Sequence, residues 1–164
     1  MEHAARGLAW AQAIEQSAMA QAVRESLWFY PLANTTHVLA MAMLLGAIVV
    51  FDLRVLGALG AGRAADAARM ALPVARLGFV LAVPSGVAMF IAEATAYLAN
   101  PVFLIKLGAI TLAVLNLALF HAGSYRRIDA WPDRAPPMAA KRAAAASLSA
   151  WTLAAVCGRL AAYF

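Results

Sequence analysis

Residues 31–51 read PLANTTHVLAMAMLLGAIVVF, a run of 21 residues without a charged side chain that ends at Asp52 and Arg54. An α-helix needs about 20 mainly apolar residues to cross the roughly 30 Å hydrocarbon layer of a bilayer. The length and composition of this run therefore predict a transmembrane helix over about 31–53.

Three further apolar runs follow, over about 77–99, 102–122 and 143–164. Each of them contains a single charged residue: Glu93, Lys106 and Arg159, respectively. Within lipid, a helix is the open-ended element that satisfies its own backbone hydrogen bonds. We therefore predict an all-α membrane protein, with a bundle of four transmembrane helices in a single domain over residues 1–164.

The composition supports this class of protein. Of the 164 residues, 65% are hydrophobic and 13% are charged, whereas soluble domains have about 45–50% and about 25%. The mean hydropathy is +0.77, and the chain has one cysteine. These values exclude a disordered chain, a nucleic-acid-binding domain and a disulfide-stapled secreted fold. The expected partners are the lipid bilayer and either other membrane subunits or further copies of the chain.

The distribution of lysine and arginine predicts the orientation in the membrane. Nine of these residues lie after the first and third spans, over 54–76 and 122–142, and two lie on the opposite side, Arg6 and Arg24. Basic residues accumulate on the cytoplasmic side, so the net charge of +5 is first a topology signal. We expect a multi-pass protein of the bacterial inner (cytoplasmic) membrane with both termini in the periplasm.

The segment of about 8–28 before the first span has the pattern of an amphipathic helix. Its apolar side chains fall roughly on one helix face: Trp10, Ile14, Ala20, Val23 and Leu27. Glu15 and Arg24 interrupt the apolar residues, which argues against a cleaved signal peptide. We predict an interfacial helix at the outer membrane surface, and a helix docked on a partner subunit is the alternative.

Four ionisable side chains from the four spans fall at one level of the outer leaflet: His37, Glu93, Lys106 and Arg159. Ionisable groups inside a membrane are costly and mark candidate functional sites. We predict that these four residues form a cofactor-binding pocket, with His37 as an axial ligand of haem b and the two basic residues beside the haem propionates. In the structural alternative, the basic side chains reach the interface and Glu93 pairs with one of them.

His37 shares a helix face with Met41 and Leu44, and we predict that this face looks into the bundle. His121 ends the third span about 22 Å along the helix from Lys106, so the two histidines are too far apart to hold one iron ion. His121 is therefore a separate metal-ligand candidate. A haem at His37 would take Met41, Met43 or Lys106 as its second ligand or would remain five-coordinate. Methionines beside a histidine also suit copper(I), which is the alternative cofactor.

Asp52 and Arg54 stand two residues apart at the inner end of the first span, a spacing that does not place them on one helix face. Each side chain should therefore find a different partner in the folded protein. For Asp52 we expect this partner to be His121 or a basic residue of the segment 122–142. We predict that both residues have a structural role.

Three motifs carry a resemblance to known proteins: HVL at 37–39, DLR at 52–54, and a span that opens near Lys106 and ends in His121. The pattern resembles an uncharacterised family of bacterial four-span integral membrane proteins and, more distantly, CopD-like copper-resistance membrane domains and HemJ-type protoporphyrinogen oxidases. The matching positions, within about residues 30–125, are His37, Arg54, Lys106 and His121. The HemJ resemblance implies a haem-binding four-helix core and allows an oxidoreductase activity.

The leading functional hypothesis is a b-type haem protein that acts as an electron-transfer subunit of a larger redox complex. One alternative is a cofactor-free accessory or structural subunit of a membrane complex, and another is copper handling in the manner of CopD. The sequence contains no CxxC, HExxH, P-loop or GxGxxG motif, so no enzyme class follows from its motifs.

Overall fold

The computed structural model describes residues 2–60, 62–131 and 136–163, which are helical and contain no β-strand. The helices are α1 (Glu2–Glu15), α2 (Ala18–Glu25), α3 (Phe29–Leu56), α4 (Ala64–Ala92), α5 (Ala94–Ala99), α6 (Pro101–Ala122) and α7 (Met138–Leu160), with a 3₁₀ helix (Ser124–Ala130) before α7. The predicted all-α fold is therefore confirmed.

Four of these helices, α3, α4, α6 and α7, are long and apolar enough to cross a membrane. In each of these helices, between 17% and 33% of the most apolar 18-residue segment is buried inside the protein. The remaining apolar surface faces outward, as the side chains of a bilayer-embedded bundle do. The structure thus confirms a multi-pass membrane fold with four candidate transmembrane helices.

The second span differs from its predicted bounds of about 77–99. The helix α4 begins at Ala64 and ends at Ala92, and the chain breaks at Glu93, where φ is −143° and ψ is 44°, before the short helix α5. The early start escaped the prediction because Asp66, Arg69 and Arg76 interrupt the apolar pattern. These side chains are exposed, so the helix continues through them without burying a charge.

The helices α3 and α4 approach each other very closely at Gly78. A Cβ atom at this position would lie 2.7 Å from the carbonyl oxygen of Ala40 and 2.7 Å from the backbone nitrogen of Leu44. Small residues let transmembrane helices pack backbone against backbone, and Ala75 and Ala82 extend the small surface along α4. The pair α3–α4 is therefore the tightest interface of the bundle.

The other helices complete a bundle that is open on one side. The helix α7 packs on both α3 and α6, whereas α4 and α6 make no close backbone contact within the described residues. Side chains join these two helices instead, through the stacked rings of Phe90 and Phe103. At the other end of the bundle, Phe51, Phe120 and Trp151 belong to the apolar core. The helices α4 and α6 are therefore joined by side chains rather than by close backbone packing.

The N-terminal segment forms two helices ahead of the first span. The helix α2 starts at Ser17, whose hydroxyl accepts a hydrogen bond from the backbone of Ala20. Arg24 donates to the carbonyl oxygens of Glu15 and Ala92, at 2.7 and 2.9 Å. The carboxylate of Glu15 also accepts hydrogen bonds from the backbone and hydroxyl of Thr95. The structure thus confirms helices before the first span and docks them where α4 ends and α5 begins.

The first span ends at Gly57, which adopts a left-handed conformation with φ of +87° and leaves the last carbonyls of α3 capped by backbone N–H groups. Arg54 folds over this turn and donates to the carbonyl oxygens of Leu59 and Gly60, at 2.6 and 3.0 Å. Arg54 thereby stabilises the turn after α3, which agrees with its predicted structural role.

Candidate functional site

His37 lies on the face of α3 that meets α4. Its Nδ1 atom is 3.0 Å from the carbonyl oxygen of Ala82 and 3.1 Å from the hydroxyl oxygen of Ser85. A carbonyl oxygen only accepts hydrogen bonds, so Nδ1 carries the proton and donates it. The Ser85 hydroxyl donates to the carbonyl of Leu81 at 2.6 Å, so its oxygen is also an acceptor for the imidazole.

This hydrogen bonding fixes both the tautomer and the orientation of the ring. With the proton on Nδ1, the neutral imidazole of His37 presents Nε2 as a lone pair, which is the form that binds a metal ion. Metal-binding histidines almost always donate their other N–H to a carbonyl, a carboxylate or a water molecule, as His37 does to Ala82. The side chain therefore has the geometry of a prepared ligand.

The surface of α4 that receives His37 is small. Ala82, Ser85 and Gly86 are spaced three and four residues apart and share one face of the helix. A Cβ atom at Gly86 would lie 3.0 Å from Cε1 of His37. The absence of a side chain at Gly86 therefore allows the imidazole ring to pack against α4. As predicted, the helix face of His37 looks into the bundle, since Leu44, two turns later, is buried.

Lys106 approaches the same region from α6. Its aliphatic chain lies against α7, where a Cβ atom at Gly158 would be 3.4 Å from Cε of Lys106. Its ammonium group is 5.4 Å from the centre of the Phe103 ring and close enough to His37 for its charge to act on the imidazole. Lys106 thus lies near His37, although the two residues belong to different helices.

An aromatic cluster covers this region at the end of α4. Phe90 and Phe103 are stacked with ring centres 5.9 Å apart, and Tyr97 of α5 is 4.7 Å from Phe103. Burial, with smaller contributions from Tyr30 and Glu93, raises the pKa of Tyr97 to about 12. The cluster joins α4 and α5 to α6 where their backbones do not meet.

The two other predicted pocket residues lie at the surface. Glu93 is exposed at the break between α4 and α5. Arg159 is also exposed, and its guanidinium donates to the hydroxyl of Tyr163 at 2.6 Å. Neither side chain contacts His37 within the described residues, so His37 and Lys106 are the pair that the structure brings together.

A second polar region, the Asp52 cavity, lies between α3, α4, α6 and α7 and has a volume of about 100 Å³. Five of its lining residues are polar: Asp52, Arg76, Asn116, His121 and Ser147. Asp52 is 3% exposed, and its Oδ2 atom has no hydrogen-bond partner in the part of the chain that the structure describes. A buried polar atom without a partner is rare in folded proteins and calls for an explanation.

His121, the second predicted metal ligand, also lines this cavity. The expected pairing of Asp52 with His121 or with a basic residue of 122–142 is wrong within the described residues, because Oδ2 of Asp52 has no partner there and His121 bonds to its own helix. The Nδ1 atom of His121 donates to the carbonyl of Leu117 at 2.9 Å, and its ring lies 4.5 Å from that of Tyr125. Among the described residues, no group of three or more His, Cys, Asp or Glu side chains is placed to hold a metal ion. His37 and His121 are thus two single candidate ligands at separate places.

Sequence analysis missed Arg76 and Ser147 as members of this cavity. The serine is one of several small residues in α7, and the arginine belongs to a helix whose start was placed too late. No local pattern marks either residue, because each reaches the cavity only through the packing of four helices.

Asn116 donates across the α6–α7 interface to the carbonyl of Ala143, at 2.9 Å.

No protein-family model, curated protein sequence or solved structure matches this chain.

Proposed function

We propose that this chain is an inner-membrane protein that binds b-type haem through Nε2 of His37 and serves electron transfer within a larger redox assembly. The observation that carries the proposal is the orientation of His37, whose Nδ1 is held by the carbonyl of Ala82 while Nε2 has no partner among the described residues. Bound haem supplies reversible one-electron chemistry at its iron.

The residues around His37 suit a flat, mainly apolar group with acidic edges. Gly86 lets the imidazole pack directly against α4, and α4 and α6 make no close backbone contact within the described residues. Apolar and aromatic side chains at this level, among them Phe90 and Phe103, supply the dry surroundings in which a porphyrin binds. This setting supports a haem pocket between the helices.

Each side chain has a definite task in this proposal. Ala82 and Ser85 hold the imidazole in the tautomer that binds iron, and Lys106 neutralises a propionate carboxylate. Glu93 and Arg159 remain surface members of the predicted outer polar layer. Because Lys106 rests over Phe103, its ammonium group is held near the pocket by packing as well as by charge.

A haem titration tests the proposal. The purified chain in detergent is titrated with haemin, and we expect a saturable shift of the Soret band with one haem per chain. His37→Ala should abolish this saturable shift, and His121→Ala is the matched control that should retain it. Helical content by circular dichroism confirms that the variants are folded. Absence of saturable binding by the wild-type chain, or equal binding by His37→Ala, would overturn the assignment.

A further inference from the structure

The Asp52 cavity is a site distinct from the His37 region, and its size limits what it holds. An engineered apolar cavity of about 150 Å³ accommodates benzene, which has six heavy atoms. By proportion, the volume of about 100 Å³ between α3, α4, α6 and α7 corresponds to a ligand of about four heavy atoms. The cavity suits a small molecule or a few water molecules.

Three of the polar residues that line the cavity carry hydrogen-bond acceptors that are not used elsewhere in the described residues. Asn116 uses its amide nitrogen to donate to Ala143, which leaves the side-chain oxygen. His121 uses Nδ1 to donate to Leu117, which leaves Nε2. Together with the unpaired Oδ2 of Asp52, these atoms call for a ligand that donates hydrogen bonds.

The charge of Asp52 favours a cationic donor. Asp52 is 3% exposed at the inner end of the first span, and a buried charge without a partner is costly. Arg76 lines the same cavity, but it is exposed and forms no ion pair with Asp52 in the described segments. The described part of the protein thus leaves this carboxyl group without a positively charged partner.

The walls of the cavity favour an organic cation over a metal ion. Four of its lining residues are aromatic: Phe51, Phe79, Phe120 and Trp151. Aromatic faces attract organic ammonium groups, and this attraction increases when the groups are desolvated. A hard metal ion needs six or more oxygen ligands or several anionic ones, and the described residues hold no such group.

We infer that the Asp52 cavity binds a small primary alkylammonium ion. The carboxylate of Asp52 is its counterion, the Asn116 oxygen and Nε2 of His121 accept its remaining N–H groups, and the aromatic walls contact its alkyl chain. Three N–H donors of the ammonium group thereby meet three acceptors. This site does not depend on haem binding at His37.

The test uses the purified chain in detergent and n-propylammonium chloride, whose cation has four heavy atoms. Binding is measured by isothermal titration calorimetry and by the change in intrinsic tryptophan fluorescence, to which Trp151 in the cavity wall contributes. We expect saturable binding by the wild-type chain and by His37→Ala. Asp52→Asn, which keeps the shape and removes the charge, should weaken binding at least tenfold. Asp66→Asn is the matched control, because Asp66 is an exposed residue that pairs with Arg69, and it should bind like the wild type.

A ligand series on the wild-type chain gives a test that requires no variant to fold. n-Propanol has the same heavy-atom count but no charge, so it should bind at least tenfold more weakly than n-propylammonium. Sodium chloride at the same concentration should give no saturable signal. If propanol binds as tightly as propylammonium, if the wild-type chain shows no saturable binding, or if Asp52→Asn binds unchanged, the inference is wrong.

Discussion

Gly78→Ala is the substitution that challenges the α3–α4 interface most directly. The added Cβ atom would lie 2.7 Å from the Ala40 oxygen and the Leu44 nitrogen and 3.1 Å from the Leu44 Cα, all of them backbone atoms. Backbone atoms have no rotamer with which to move aside, so the two helices must separate by several tenths of an ångström. Overpacking of this kind costs about 1–3 kcal/mol.

The matched control is Gly108→Ala on α6, where an added Cβ atom meets nothing within 4 Å. Alanine is favoured over glycine inside a helix by about 0.5–1 kcal/mol. Gly78 also lies inside a helix and gains the same amount, so the two alanine variants should differ in the free energy of unfolding by the overpacking cost of about 1–3 kcal/mol, with the Gly108 variant the more stable. Reversible unfolding in mixed micelles, followed by circular dichroism, measures this difference. Equal stabilities, or a Gly78 variant more stable than the wild type, would refute the close approach of α3 and α4.

Three further predictions concern other parts of the chain. Because burial raises the pKa of Tyr97 to about 12, the wild-type minus Tyr97→Phe ultraviolet difference spectrum should show a tyrosinate midpoint near pH 12, and a midpoint near the ordinary value of about 10 would contradict the burial. The unfolded chain loses this proton first, so the contribution of Tyr97 to stability is present below pH about 10 and is lost as the pH rises to about 12. Glu15→Ala removes the acceptor of the Thr95 hydrogen bonds, at a cost of about 1.5–3 kcal/mol for bonds to a charged group, and faster amide exchange in α1 and α2 measures it; unchanged exchange would show that the docking does not depend on Glu15. A reporter fused after residue 164 should be periplasmic and one inserted near Asp133 cytoplasmic, and the reverse result would contradict the predicted orientation.

The four spans could be predicted from the sequence because membrane insertion depends on a local property, the apolar length of a segment. The run 31–51 contains enough information by itself to define α3 within a few residues. The start of α4 could not be obtained in this way, because Arg69 and Arg76 resemble loop residues in the sequence and are exposed helical residues in the structure. Hydropathy does not distinguish a charged loop from a helix that extends into water.

The candidate sites show the same limit at the level of tertiary packing. Counting residues along each span placed His37 and Lys106 at a similar depth in the membrane, and we expected from this that the two residues lie near each other. Rotation about each helix axis decided the rest, since it left Arg159 exposed rather than facing the bundle. It also placed Ser147 of α7 and Asp52 of α3 at one cavity. The spacing of residues along a single helix cannot predict such a contact between two helices.

Whether His37 ligates a haem is tested most directly by the reduced-minus-oxidised absorption spectrum of the protein as purified. The chain is produced in cells supplied with a haem precursor, and the wild type is compared with His37→Ala at equal protein concentration. We predict a reducible Soret band with α and β bands in the wild type and their loss in His37→Ala. A wild-type protein without these bands, or a His37→Ala protein that retains them in full, would contradict this prediction.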